Sequence, residues 1–142
     1  MKPTDLAFNQ ALGIIAAPHG AAHLLELPMR ELVQNHVGTL HAAAQFALAE
    51  AAAAACLQRD FPDVGEVFAV VRGAKIKYRN AATDDLLAFA EPDEFTRQHL
   101  RNDLATRTRT SATVDVELKD RAGRLAFAGS FNWFIAKTAP NS

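Results

Sequence analysis

Glu50 is the only charged side chain between Ala42 and Leu57, a stretch made mostly of alanine with Leu48, Phe46 and Leu57. A carboxylate there needs a reason, because burying an unpaired charge costs several kcal/mol unless its pKa moves or a partner is supplied. General acid–base or nucleophilic chemistry is one such reason. The plainer alternative is a helix carboxylate that reaches solvent or pairs with an arginine. Upstream, Asn35-His36-Val37-Gly38-Thr39-Leu40-His41 adds two side chains of use to such chemistry, Asn35 and His41. Singly, Asn35 is an ordinary turn former and His41 a capping or polar core histidine. Their weight is joint, through their register with Glu50.

The element that must position these groups is a helix running from Thr39 to about Arg59-Asp60 and stopped before Pro62. Alanine is the best helix former, and its small side chain lets a helix lie close against a sheet. On one straight helix, the nine steps from His41 to Glu50 separate them by ~13 Å along the axis and roughly 180° in azimuth. They cannot meet within one chain. A site that uses both must be built from two subunits, in a two-fold dimer with two equivalent sites.

Around that helix the sequence predicts a short helix from a cap at Thr4 or Asp5 to Leu12, with Gly13 near its end. Ile14–Ala17 and Ala21–Leu27, parted by Pro18-His19-Gly20, read as a hairpin or bent strand pair. Met29 to Gly38 is a connecting loop with a helical turn. From Val67 the period becomes two: Val67–Tyr78 with a bulge at Gly73, then Leu86–Ala90 before Glu91-Pro92. Asp93 caps a helical segment to Ala105. Thr110, Ala112, Val114, Val116 and Leu118 then share one strand face, and after the turn Asp120-Arg121-Ala122-Gly123 so do Leu125, Phe127, Phe131, Trp133 and Ile135. Thr138 to Ser142 is a low-complexity tail. The class is α+β: a strand pair, one long apolar helix and a meander of about four longer strands. A helix apolar nearly all round must be covered nearly all round, which a curved antiparallel sheet does.

At 142 residues the chain is one domain's worth, expected to span 1–142. A net charge of −1 calls for neither nucleic acid nor an anionic membrane surface. The single cysteine, Cys56, cannot form an internal disulfide and reads as core, and Met1-Lys2-Pro3-Thr4-Asp5 lacks the apolar core of a signal peptide, so the cytoplasm is the default. Leu40 to Leu57 approaches the ~20 residues of a membrane span. Its alanines insert weakly, however, and Glu50 is costly at a bilayer centre. His19, His23, His36 and His99 have no ligand spacing, so no metal is expected. No phosphate loop, dinucleotide fingerprint or serine elbow occurs.

The pattern Asn35-x-x-Gly38-Thr39-x-His41-Ala42-x-x-x-Phe46-x-Leu48-Ala49-Glu50 resembles the signature of hotdog-fold acyl-CoA thioesterases. In that family an Asn or Gln is followed by His-Gly-Gly and then by an Asp or Glu within the central helix. The resemblance implies a curved antiparallel sheet wrapped around the helix at about 39–59. It implies that Glu50 acts as nucleophile on the thioester or as general base on water, with His41 beside the carbonyl. Asn35 would orient the water or the carboxylate, and the backbone N–H of Ala42 would polarise the carbonyl oxygen, where a free N–H and a partial positive charge suit an oxyanion. Ala42-Ala43 replaces the family's Gly-Gly, which keeps the N–H and adds two Cβ atoms to the path of the thioester. The resemblance also implies a homodimer, alone or paired into a dimer of dimers, and no cofactor beyond the coenzyme A of the substrate.

Arg72, Lys75, Lys77 and Arg79 bracket a strand where they could meet coenzyme A phosphates; Arg97, Arg101 and Arg107 form a second such set. Phe46 and Trp133 read as core residues able to line an acyl channel. Three functions compete: an acyl-CoA thioesterase, a non-catalytic hotdog module that binds acyl-CoA or another acyl ligand, and a structural dimer. Hotdog dehydratases fit less well, since their proline-rich histidine motif has no counterpart. The two-chain site predicts twice the chain mass in sedimentation equilibrium; a monodisperse monomer at working concentration removes it.

Overall fold

The computed structural model describes residues 1–137, so the Thr138 to Ser142 tail lies outside the described residues. Helix α2, Ala42–Asp60, is the axis of the fold. Leu48, Ala49, Ala52, Ala53 and Cys56 are fully buried along it, while Ala43, Phe46, Glu50, Ala54 and Gln58 form a less covered stripe. The helix begins three residues later than Thr39, because His41 caps it: Nδ1 accepts the Ala43 N–H at 2.9 Å. Thr39 is held back in the preceding loop by the Asn35 side chain.

Six strands form one antiparallel sheet: β1 Ile15–Ala16, β2 Leu25–Leu27, β3 Phe68–Tyr78, β4 Leu86–Pro92, β5 Arg109–Lys119 and β6 Leu125–Ala136. Their order is β1-β2-β4-β5-β6-β3, and α2 packs on β2, β4, β5 and β6. The long strands are therefore not a simple meander. β3 crosses to the far edge and pairs with β6, while β4 pairs with β2 and β5. Alternating hydrophobicity gives each strand an inner face but does not name its neighbours.

The expected faces hold: Ala112, Val114, Val116 and Leu118 of β5 and Phe127, Phe131, Trp133 and Ile135 of β6 are all buried. Burying each of the larger ones stabilises the fold by roughly 1.5–3 kcal/mol. The extra residue of the β3 bulge is Arg72, between the paired positions Val71 and Gly73. Strand β4 runs through Glu91 to Pro92, the latter opposite Val114, because a terminal proline can sit at the end of a ladder.

Helix α3, Glu94–Arg107, starts as expected at Asp93, whose carboxylate accepts the Thr96 N–H at 2.8 Å. The N-terminal segment departs from expectation. Pro3–Asp5 is a 3-10 turn, and α1, Ala7–Leu12, begins only after Leu6, since Asp5 is spent on the Lys2 N–H. No helix among the described residues is long and apolar enough to cross a membrane.

Gly129 interrupts the aromatic row of β6 opposite Ile76 and Val116. A Cβ there would lie 2.8 Å from Ile76 Cγ2 and 3.0 Å from the Lys75 carbonyl oxygen. Gly129→Ala is expected to destabilise the fold by about 1–3 kcal/mol through overpacking, read as a lower urea midpoint at unchanged slope.

Candidate active site

At the start of α2 the backbone is pinned on three sides. Leu40 N–H donates to the Ala82 carbonyl and His41 N–H to the Val33 carbonyl, each at 2.8 Å, and the Tyr78 hydroxyl donates to the Ala42 carbonyl at 3.0 Å. With Nδ1 accepting from Ala43, a neutral His41 carries its proton on Nε2. The Ala42 N–H has no intramolecular acceptor among the described residues. It stands at the positive end of a 19-residue helix, a suitable place for an oxyanion. Tyr78 was not singled out from the sequence, since nothing in a strand's alternation tells that its hydroxyl reaches a helix start.

Asn35 organises the loop before the helix. Its Oδ1 accepts the Val37 and Thr39 N–H groups at 3.1 and 3.0 Å, and its Nδ2 donates to Thr39 Oγ1 at 2.7 Å. One Nδ2 hydrogen is left over from the amide's inventory. Gly38 closes this loop at φ 80°, a conformation that other residues adopt only with strain.

Glu50 lies two and a half turns further along α2. Its half-buried carboxylate has neither a hydrogen-bond nor an ion-pair partner among the described residues, and burial raises its pKa above the ordinary 4.5. It lines a cavity of about 570 Å³ with Leu57, Phe61, Leu100, Leu104, Trp133 and Ile135. The N-terminal segment closes one side. Gln58 Nε2 donates to the Met1 carbonyl at 2.8 Å and Asn9 Nδ2 to the Pro3 carbonyl at 3.0 Å, which ties the first residues to this wall. Asn35, His41 and Ala42 are not among the lining residues. One chain thus holds Asn35, His41 and Ala42 apart from Glu50, as the helical spacing requires.

The remaining sequence candidates are scattered. Trp133 lines the cavity; Phe46 instead packs edge-on against Phe131, ring centroids 5.3 Å apart. Lys75 and Lys77 sit opposite Ser130 and Ala128, on the face of β3 that points away from α2, and Arg72 lies over the Phe134 ring on that same outer side. None of them reaches the Glu50 cavity within the chain, and neither does Arg79 just beyond β3. In the second set, Arg101 is held by Asp63 at 2.7 Å and Arg97 by Glu91 and Glu94 at 3.4 Å, while Arg107 ends α3. Burial, and then the charge of Asp60, push the Cys56 thiol up to about 12, which makes it a core residue and no nucleophile.

A family model described as a domain of unknown function, DUF4442, matches residues 17–135. The chain belongs to this family. No curated protein matches the sequence. Among solved structures, this DUF4442 chain is similar to a Pseudomonas aeruginosa protein of unknown function described as a probable thioesterase, at 22% identity and a TM-score of 0.78, over 93% of this chain and 88% of that one. A thioesterase from Haemophilus influenzae superposes with a TM-score of 0.74 at 13% identity, over 98% and 90% of the two chains. A Bacillus halodurans protein crystallised with CoA gives 0.63 at 20% identity, over 78% and 69%. The architecture is the hotdog fold, a curved antiparallel sheet around one long helix.

A carboxyl whose folded-state pKa is raised binds its proton more tightly in the folded chain. The cost of ionising Glu50 is therefore absent below the unfolded pKa near 4.5, grows as pH rises, and is complete above the raised value. Glu50→Gln is expected to melt with wild type in acid and at a higher temperature at neutral pH; thermal melts across that range check it.

Proposed function

We propose that this protein hydrolyses an acyl-CoA thioester to the free acid and thiol, at a site shared by two copies of the chain. The carrying observation is the partnerless Glu50 carboxylate, half-buried on the wall of a largely apolar cavity. A raised pKa makes an ionised carboxylate a better base near neutrality. Two routes start from it. As general base, Glu50 takes a proton from water while the oxygen attacks the thioester carbon; as nucleophile, it attacks that carbon and water later cleaves the acyl-enzyme. In both, the carbonyl oxygen becomes an oxyanion before the coenzyme A thiolate departs with the C–S electron pair and takes up a proton.

The oxyanion donor in this reading is the Ala42 N–H of the second copy, with His41 Nε2–H beside it and Asn35 fixing the loop that holds both. The exposed surface supports such an assembly. β3 is an 11-residue edge strand, long for an edge left unpaired, and Leu32 and Val37 near the helix start are 64% and 68% exposed. The similar Bacillus halodurans protein was crystallised with CoA, which fits the ligand class. In this reading Arg72, Lys75, Lys77 and Arg79 meet CoA phosphates only when the nucleotide end runs over the β3 edge. The competing reading, a non-catalytic module that binds acyl-CoA, draws on Ala42-Ala43 standing where the resembling enzymes have glycines.

Hydrolysis of an acyl-CoA panel by wild type and by Glu50→Gln, with binding measured in parallel, separates these. The enzyme reading expects kcat to fall by roughly 10²–10⁴ in Glu50→Gln while binding persists. Equal binding with no turnover in either protein would identify the module.

A further inference from the structure

Tyr78 is the last residue of β3 and the only tyrosine in the chain. Its backbone is fixed from β6: Tyr78 stands opposite Phe127, the Arg79 N–H donates to the Ala126 carbonyl at 2.8 Å, and Asn80 Nδ2 donates to the Leu125 carbonyl at 2.7 Å. The ring packs edge-on against the fully buried Phe127, centroids 5.4 Å apart. From that anchor the hydroxyl reaches α2 and donates to the Ala42 carbonyl at 3.0 Å. Among the described residues no other side chain bonds the first residue of the helix.

As a contribution to stability the bond is small. Tyr78 is 44% exposed, so water can stand in for either partner, and one neutral hydrogen bond changes a folding equilibrium by roughly tenfold at most. Position is another matter. The backbone bonds of Leu40 and His41 hold the residues before the helix, and helix ends fray. Tyr78 clamps the first helical residue itself, whose N–H is the oxyanion donor, and a displacement of about 1 Å in a reacting site costs on the order of 10² in rate. The hydroxyl has a single proton, spent on Ala42, so Tyr78 is not a second oxyanion donor while this bond stands. Burial raises the phenol above its ordinary value, which keeps that proton in place through the neutral range.

We propose that Tyr78 is a positioning residue, holding the Ala42 N–H toward the developing oxyanion through its bond to the Ala42 carbonyl. This deepens the thioester reading and rests on it for the reaction. An oxyanion depends on the donor more than the bound carbonyl does, so kcat carries the effect and KM does not.

Tyr78→Phe removes the hydroxyl and keeps the ring. On the acyl-CoA that the wild type hydrolyses fastest, kcat is expected to fall about 10–30-fold with KM within about twofold. In ¹⁵N-labelled protein the Ala42 and Ala43 amide resonances should move and the Ala43 amide exchange about tenfold faster, the ratio that one lost hydrogen bond supports, with β5 amides unchanged. Replacing the sole tyrosine by 3,5-difluorotyrosine, whose phenol is more acidic, keeps the shape. Its kcat should decline with rising pH as the phenol ionises, read by ¹⁹F resonance, at a pH where wild type is still flat. His41 and Arg79 are common to both proteins, so the difference belongs to the phenol.

An unchanged kcat, a KM that rises while kcat is kept, or slower turnover with faster exchange throughout the sheet overturns the proposal. If Tyr78→Phe does not fold, the fluorinated protein decides alone, and a kcat indifferent to phenol ionisation overturns it. Without wild-type turnover the thioesterase reading falls, and the Ala42 and Ala43 amides decide whether the clamp stands. Turnover lost in Glu50→Gln but kept in Tyr78→Phe removes the role of Tyr78 only.

Discussion

The packing of α2 is the constraint on which the rest of the molecule depends. A helix made of alanine has almost no side chain with which to reach a neighbour, so its partners must come to it. The sheet does so by curving, and Ala49, Ala52 and Ala53 are fully buried, their small side chains letting the helix lie close. Close approach leaves little tolerance on the sheet side. Within the sheet, too, space is tight: β6 sets Gly129 among large aromatics, where even one methyl group would strike Ile76 and the β3 backbone. The same packing places Glu50 on the one stripe of the helix that the sheet leaves partly open.

Much of this was legible because the relevant signals are local. Period-two alternation in β5 and β6 separated inner from outer residues, and Asp93 announced α3 through a cap that depends on a carboxylate and a nearby N–H. Where the sequence reading failed, a distant group decided the outcome. Thr39 could cap a helix, yet the Asn35 side chain holds it and His41 caps instead. The crossing of β3 to the far edge rests on pairing with β6, from Tyr78 opposite Phe127 to Phe68 opposite Ala136, a long-range pairing that no pattern within β3 encodes.

The candidate site divides in the same way. The separation of His41 from Glu50 was already legible, since it follows from helix geometry alone, and only a site that used both would need two chains. The cavity beside Glu50 could not be foreseen, because its walls come from the N-terminal turn, α3 and the end of β6 as well as from α2. Asn35 shows how one residue can satisfy a motif and a fold together. Its side chain closes a loop, and that loop sets the entry of the helix whose first N–H has no acceptor among the described residues.

That cavity joins Pro3 and Asn9 to Trp133 and Ile135, segments at opposite ends of the sequence. During synthesis, therefore, a pocket of this shape cannot exist until β6 has left the ribosome and zipped onto β5. Contacts of such separation form late and carry the largest loop-closure cost. A small molecule lodged there would act as a clasp between the N-terminal turn and β6, so its binding energy would be felt by the whole fold rather than by one loop.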